Sequence, residues 1–344
     1  MTCAALQVDE LHTLDDLRRL RGEWRELWAR VPGATPFQSP AWLLPWMETF
    51  APGAPLVLTM RRAGSLVAVA PFYVAPDETG MRWLRLIGAG NTDYLDVLAP
   101  DEHARTVAAG VLAHLGRRGA AWDVADLWPL AGTAALLAAA VPDGLQASTS
   151  PNDVCPTLVL PATVEHLADH VPARFLSKLR YYRRRLERSG ELRVRLATCE
   201  TVCSLFSTLA ALHEARWRER GESGVLHDPA VRAFHQAALP ALCSDGTPRL
   251  LELTLDGRTV ACVYVLLRGT RAWYYLGGFD PAYERFSVGT VAVGHAIDAA
   301  IRDGARTFDF LRGAEPYKYA WGAADRPVYR RTLRRAGALS GVDH

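Results

Sequence analysis

Asp309, Arg312, Glu315, Tyr317 and Lys318 fall within ten residues of one another, in the run Phe308-Asp309-Phe310-Leu311-Arg312-Gly313-Ala314-Glu315-Pro316-Tyr317-Lys318-Tyr319-Ala320-Trp321-Gly322. Two carboxylates, a guanidinium, a phenol and an ammonium so close together have the means to move a proton and to stabilise a developing negative charge. Phe308 and Phe310 point to one face of a strand and Asp309 to the other. The polar residues then crowd the loop past that strand's carboxyl end, where ligands bind in open α/β sheets. Buried without a task, such a mixture would only cost desolvation.

Each of these residues has a functional and a plain reading. Lys318, set among aromatic residues, is suited to stabilise an oxyanion or hold a phosphate; the plain reading is a surface lysine laid along its aliphatic stem. Asp309 reads as the group that orients or deprotonates an amine, or as a salt-bridge partner of Arg312 or Lys318. Glu315, beside the rigid Pro316, is the other candidate base. Tyr317 and Arg312 are candidate substrate contacts, as are Tyr275 next to Gly277 and the pair Asp93 and Tyr94 after a glycine turn. His213 sits on a helix beside Glu214, Arg216 and Trp217 and reads as a packed histidine or a general base.

A second chemistry-bearing stretch is basic. Arg174, Lys178, Arg180, Arg183, Arg184, Arg185 and Arg188 are interleaved with Phe175, Tyr181 and Tyr182, and Glu187 is the one acid among them. Arg180, Arg184 and Arg188 share a helical stripe, as do Lys178, Tyr182 and Arg185. A solvated charged face is the usual outcome of such a run. Here intrahelical pairing cannot neutralise the charge, so Lys178, Arg180 and Arg184 are candidate contacts to a phosphate-bearing ligand: tRNA, a lipid-linked sugar or coenzyme A.

The elements that would position these residues follow from periodicity. Helices are expected over Leu11–Ala29, Ser39–Phe50 and Glu102–Arg117, and strands over Leu56–Met60, Leu66–Val74, Trp83–Ile87 and Trp122–Leu127. The order then repeats. A strand at Leu192–Ala197 precedes helices at Cys199–Gly221 and Asp228–Cys243. A hairpin of Leu250–Leu255 and Thr259–Leu267 leads to a strand at Ala272–Leu276, a helix at Ser287–Arg302 and a strand at Thr307–Leu311. Two similar α/β (α+β) domains are expected, 1–160 and 161–344, with the junction within Val159–Pro172.

Bulk properties narrow the class. The 344 residues are 49% hydrophobic and 22% charged with a net charge of +2, as expected of a globular chain and not of a general polyanion binder. No apolar run reaches the ~20 residues of a membrane span. Asp9, Glu10, Asp15 and Asp16 stand where a signal peptide needs basic and then apolar residues, so a cytoplasmic location is expected. The six cysteines are scattered, without metal-ligand spacing, and are expected to be reduced thiols. No metal is implied.

The stretch from about Ala173 to Trp321 resembles the GNAT-like acyltransferases of the CelD-like group. The resemblance rests on Lys178-Leu179-Arg180-x-x-Arg183-Arg184-x-Leu186-Glu187-x-x-Gly190, His213 with Arg216-Trp217, Tyr275-x-Gly277-Gly278, Ser287-x-Gly289, and Asp309-Phe310-x-x-Gly313-x-x-x-Tyr317-Lys318-x-x-Trp321-Gly322. The Tyr317-Lys318-x-x-Trp321-Gly322 ending is also similar to a Phe-Lys-x-x-Phe-Gly stretch of the Fem peptidyltransferases, which use two GNAT domains. The resemblance implies two tandem GNAT-like acyltransferase domains, mixed sheets flanked by helices, the first degenerate. It further implies an enzyme that moves an acyl group from acyl-CoA to an amine acceptor such as an amino sugar, an amino acid or a small metabolite. One alternative is a Fem-like transferase using aminoacyl-tRNA; another is a non-catalytic GNAT-fold binding protein of a polysaccharide or secondary-metabolite pathway. GNAT enzymes cradle the coenzyme A pyrophosphate at a glycine-rich helix start. The corresponding turn here, Arg285-Phe286-Ser287-Val288-Gly289-Thr290, has one glycine. Ser287, as a helix cap, and Gly289 are the candidate donor contacts there.

Overall fold

A computed structural model describes residues 6–118 and 121–335. The chain forms two units, one ending at Asp153 and taking back the chain from Pro327, the other spanning Val154–Arg326. Along the chain run β1 (Gln7–Leu11), α1 (Leu14–Arg30), α2 (Pro40–Phe50), β2 (Ala54–Arg62), β3 (Ser65–Pro76), β4 (Arg82–Leu86), α3 (Asp101–Arg117), β5 (Val124–Ala131), α4 (Ala135–Ala138) and β6 (Leu145–Val154). The second unit contains β7 (Thr157–Val159), α5 (Ala173–Glu187), β8 (Leu192–Leu196), α6 (Val202–Glu219), α7 (Pro229–Ser244), β9 (Pro248–Leu255) and β10 (Arg258–Arg268). It continues with β11 (Arg271–Phe279), α8 (Val288–Arg302), β12 (Thr307–Asp309) and α9 (Pro316–Ala320). Last comes β13 (Pro327–Arg335). The expected division at 160/161 leaves the carboxyl end in the second domain, whereas β13 pairs antiparallel with β5 in the first sheet.

The two sheets are mixed, ordered β1-β2-β3-β4-β5-β13-β6 and β7-β12-β11-β10-β9-β8. Each contains a parallel pair, β4 with β5 and β11 with β12. The two pairs differ in the course the chain takes beyond them. In the first unit, Leu95 N–H donates to the Pro129 carbonyl at 2.9 Å, and Leu98 bridges to Val69 through two hydrogen bonds, so the chain after β4 lies along β5 and β3. In the second unit, β11 runs on for six residues past its last β12 partner, the Trp273–Asp309 pair. The chain after β12 instead tracks Val154–Pro156: Phe310 N–H donates to the Pro156 carbonyl at 2.9 Å and Gly313 N–H to the Val154 carbonyl at 3.0 Å. The second sheet therefore opens at Tyr274.

The core of the second unit explains which elements frame that opening. Alternate residues of β9 and β10 (Leu251, Leu253, Ala261, Val263, Val265) meet Val291, Ala292, Ala296, Ile297 and Ile301 of α8, with Leu176, Leu179 and Leu186 of α5 in the same cluster. Arg183 fixes α5 to α8 through a 2.8 Å bond to the buried Asp298. On the opposite face, Phe206 of α6 and His235 of α7 pack on Tyr264 of β10. Cys199 and Cys243 are joined by a disulfide between the turn before α6 and the end of α7. This corrects the expectation of reduced thiols. The partners are 44 residues apart, so no local spacing marks them.

Candidate active site

Where β11 leaves β12 it also bulges: Tyr264 faces Leu276 and Val265 faces Tyr274, so Tyr275 is the extra residue. A bulge turns neighbouring side chains out of simple alternation and interrupts the ladder. Tyr275 packs toward α7, its ring 5.1 Å from that of His235 and 5.6 Å from that of Tyr264. Tyr274 goes to the other side, 6.1 Å from Phe310, itself 6.1 Å from the Tyr317 ring. The phenols of Tyr274 and Tyr317 are hydrogen-bonded to each other. Gly277 gives the Tyr274 hydroxyl its seat, since a Cβ there would stand 2.2 Å from it. At the next position a Cβ on Gly278 would lie 2.6 Å from the His213 backbone nitrogen of α6, so this glycine lets α6 ride against the strand.

Charge surrounds the phenol pair. Arg216 of α6 lies 4.8 Å over the Phe279 ring and 5.8 Å over that of Trp217, and its Nε is buried without a hydrogen-bond partner among the described residues. Its positive field acts on both phenols, and Glu315 opposes it. Burial outweighs both and pushes the two phenols up from the usual tyrosine range, although Tyr317 keeps 39% of its surface open. Both hydroxyls hold their protons at neutral pH, as a proton donor to a leaving group must.

Lys318 is 2% exposed. Its ammonium donates to the carbonyls of Leu311 at 3.0 Å, Arg312 at 2.6 Å and Gly313 at 3.0 Å, and lies 2.8 Å from a Glu315 carboxylate oxygen. An ammonium has only three protons to give, so four acceptors saturate it. The expected oxyanion contact is thus already occupied by the protein's own loop, and the surface-lysine alternative is equally excluded by the burial. The three carbonyls converge because Leu311 and Gly313 both have positive φ, 58° and 104°. Asp309 is buried behind this loop and accepts from Leu311 N–H at 2.8 Å. Arg312 is half-buried in the same turn. Pro316 starts α9, so the stretch read as loop is one short helix whose first turn presents Tyr317 outward and Lys318 inward. Trp321 is fully buried and packs edge-on against Phe175 of α5 at 4.7 Å.

Other candidates lie apart from this group. His213 is buried, and its Nε2 accepts from Trp217 Nε1 at 2.9 Å, which occupies the nitrogen a base would use. Burial, reinforced by Arg216, lowers its pKa to about 4. Burial likewise takes His235 to about 3. Asp93, buried, and Tyr94, half-buried, come after β4 in the first unit.

The histidines carry a pH prediction. Below about pH 6.5 the unfolded chain protonates them while the folded chain does not, until the depressed folded values are reached. Their contribution is complete above about 6.5 and is lost as pH falls toward 4. For His213 the loss is on the order of 3 kcal/mol. Urea unfolding at neutral pH and at pH about 4.5 is expected to register it. A decline of the same size in His213→Asn would remove His213 as its source.

At the start of α8, Ser287 adopts φ 53° and makes no side-chain cap, which corrects the expected capping role. Its hydroxyl bonds instead to Tyr182 of α5, whose phenol is thereby held below its usual range. Gly289 abuts the Phe279 ring, where a Cβ would approach to 3.0 Å. Lys178 lies 5.7 Å over the Tyr182 ring, and Arg180 and Arg184 line a recess on the outer side of α5.

Sequence reading missed Tyr274 and Arg216 as site groups. Arg216 stands inside a motif it had singled out and Tyr274 directly precedes one, but the bulge reverses which tyrosine faces the opening, and Arg216 reaches it only through the packing of α6 on β11.

Residues 173–319 match the family model described as an acetyltransferase (GNAT) domain. This segment has the GNAT fold. Among solved structures, FemX is 11% identical with a TM-score of 0.65, covering 94% of this chain and 96% of that one. The carboxy-terminal domain of an Agrobacterium fabrum protein named as a putative lysylphosphatidylglycerol synthetase is 13% identical with a TM-score of 0.59, over 93% of this chain and 92% of that one. A Bacteroides thetaiotaomicron protein of unknown function is 11% identical at 0.56, over 96% and 100%. At such identities the likeness is one of fold. No curated protein matches the chain. Among the described residues no helix is long and apolar enough to cross a membrane, and no three metal-ligating side chains cluster.

Proposed function

We propose that the chain is an N-acyltransferase that moves an acyl group from acyl-CoA to an amine in the opening between β11 and β12. The observation that carries this reading is the hydrogen-bonded Tyr274–Tyr317 pair, at the point where the second sheet opens and β11 bulges. Past Tyr274, β11 pairs as a strand only with β10 among the described residues, which leaves its other edge for the amides of an extended donor. The amine nitrogen attacks the thioester carbon and a C–N bond forms as the C–S bond breaks. Tyr317 gives its proton to the departing sulfur, and the amine's proton passes to Glu315 at the rim. Arg216 stabilises the negative charge as it develops. Asp309 and Lys318 hold the loop that carries Arg312, Glu315 and Tyr317, while Tyr275 braces β11 against α7.

The first unit reads as a degenerate GNAT-like copy. Its corresponding gap is taken by the chain after β4, and α3 opens with Asp101 and Glu102, which repel an anionic donor from the helix start. Asp93 and Tyr94 then belong to that unit's own packing. In the second unit α8 has no acid in its first turn. Lys178, Arg180, Arg184, Ser287 and Gly289 would meet the donor's phosphates there.

The test is thermal unfolding with acetyl-CoA and, separately, with aminoacyl-tRNA, and then mass spectrometry of an amine panel. Acetyl-CoA at about a hundredfold its Kd should add roughly 2.7 kcal/mol of stability. A rise with charged tRNA alone would transfer the reading to the Fem-like donor. Stabilisation by neither, or no acylated amine, would sink acyl transfer.

A further inference from the structure

The outer side of α5 carries a recess of about 570 Å³ in which Arg180 and Arg184 stand together with Ser177, Tyr181, Arg188 and Phe286, among others. That volume is in the range of small-ligand sites. We infer that this recess binds the nucleotide end of the donor, a nucleoside carrying a 3′-phosphate and a 5′-diphosphate. The inference rests on the donor reading above and adds a recognition element outside the strands and helix that form the opening.

Three observations converge. First, Arg180, Arg184 and Arg188 succeed one another at one-turn spacing, about 6 Å per step. None of the three forms an ion pair among the described residues, although Glu187 lies between them in sequence. Like charges at that spacing repel, so the row is disfavoured until an anion lies across it. Second, Tyr181 lines the same recess and is 58% exposed, giving an open aromatic face beside the guanidinium row. Arginines tracking phosphates next to an exposed ring form the pattern that holds a nucleotide by charge and stacking together. The hydroxyls of Ser177 and Ser189 add polar groups for a sugar.

Third, α5 has taken hold of the turn that leads into α8. Arg185 donates to the Arg285 carbonyl at 3.0 Å and stacks 4.9 Å over the Phe286 ring, and Tyr182 bonds to Ser287. Phe286 therefore lines the recess on one side and precedes the helix start on the other. The turn lacks the several glycines that let a backbone wrap a pyrophosphate, so α5 supplies as side chains the positive charge that the backbone does not.

The experiment is isothermal titration at low salt with adenosine 3′,5′-bisphosphate, inorganic pyrophosphate and a short single-stranded RNA ending in CCA. Wild type is compared with Arg184→Glu/Arg188→Glu and with Tyr181→Ala, all at exposed positions where folding should be unaffected. The bisphosphate should bind wild type, and the double variant should lose at least about tenfold in affinity. Tyr181→Ala should lose about tenfold for the bisphosphate and nothing for pyrophosphate, which has no base to stack. In turnover, the double variant should lower kcat/KM for acetyl-CoA at least about tenfold more than that for acetyl-pantetheine, which lacks the nucleotide. Bisphosphate affinity equal in wild type and the double variant, no binding at all, or RNA held more than about tenfold tighter through the same arginines would each overturn the inference. A chain that binds the bisphosphate through this row and acylates nothing would sink acyl transfer alone.

Discussion

Lys318→Met is expected to lower the unfolding free energy by about 3–5 kcal/mol and to abolish acyl transfer with it. The substitution keeps a long apolar stem but removes the only ammonium in contact with the carbonyls of residues 311, 312 and 313. Those oxygens then face the protein interior without a donor, and each unsatisfied buried group costs about 1–3 kcal/mol. The pairing with Glu315 contributes little, because that carboxylate is mostly in solvent. Two positive-φ residues shape the turn, and with its central cation gone nothing holds their carbonyls together. Lys318→Arg should not rescue the variant, since a planar fork cannot meet three oxygens converging on one point. Urea denaturation and product formation are measured on the same samples. A variant of wild-type stability with no turnover would mean that the ammonium works on the substrate and not on the loop.

Tyr317→Phe should behave in the opposite way. Its kcat is expected to fall by about a hundredfold or more, with KM and the urea midpoint close to wild type. The ring remains to pack against Phe310, and only the proton carried by the phenol is lost. Tyr274→Phe removes the partner that orients that phenol and should cost less in kcat. Because burial raises the Tyr317 phenol above its ordinary value, wild type should show no alkaline loss of kcat up to about pH 10. An alkaline limb well below that pH, or full turnover by Tyr317→Phe, would exclude Tyr317 as the acid.

Much of the scaffold is readable locally. Helices α1, α2, α7 and α8 fall where apolar spacing, the Ser39-Pro40 and Asp228-Pro229 starts and the glycine turns put them, because those signals act within a few residues. Strand β13 is different. Its sequence, Pro-Val-Tyr-Arg-Arg-Thr-Leu-Arg-Arg, has the composition of a charged tail, and only its place between β5 and β6 in the first sheet makes it a strand. The same holds for β7, three residues long, which exists because β12 needs a neighbour.

The site divides along the same line. Covalent linkage alone dictates that acid, base and phenol gather after the last core strand, since ten consecutive residues cannot be far apart. Side-chain direction there was not a local matter. A bulge opposite Tyr264 turns Tyr274, and not Tyr275, toward Tyr317, and the approach of α6 at Gly278 delivers Arg216 from a helix well upstream in the chain. Three backbone carbonyls turn inward and consume the lysine that spacing had offered to a substrate. Residue types fix which chemistry is available, but hydrogen-bond satisfaction in a packed interior decides which groups are left over to perform it.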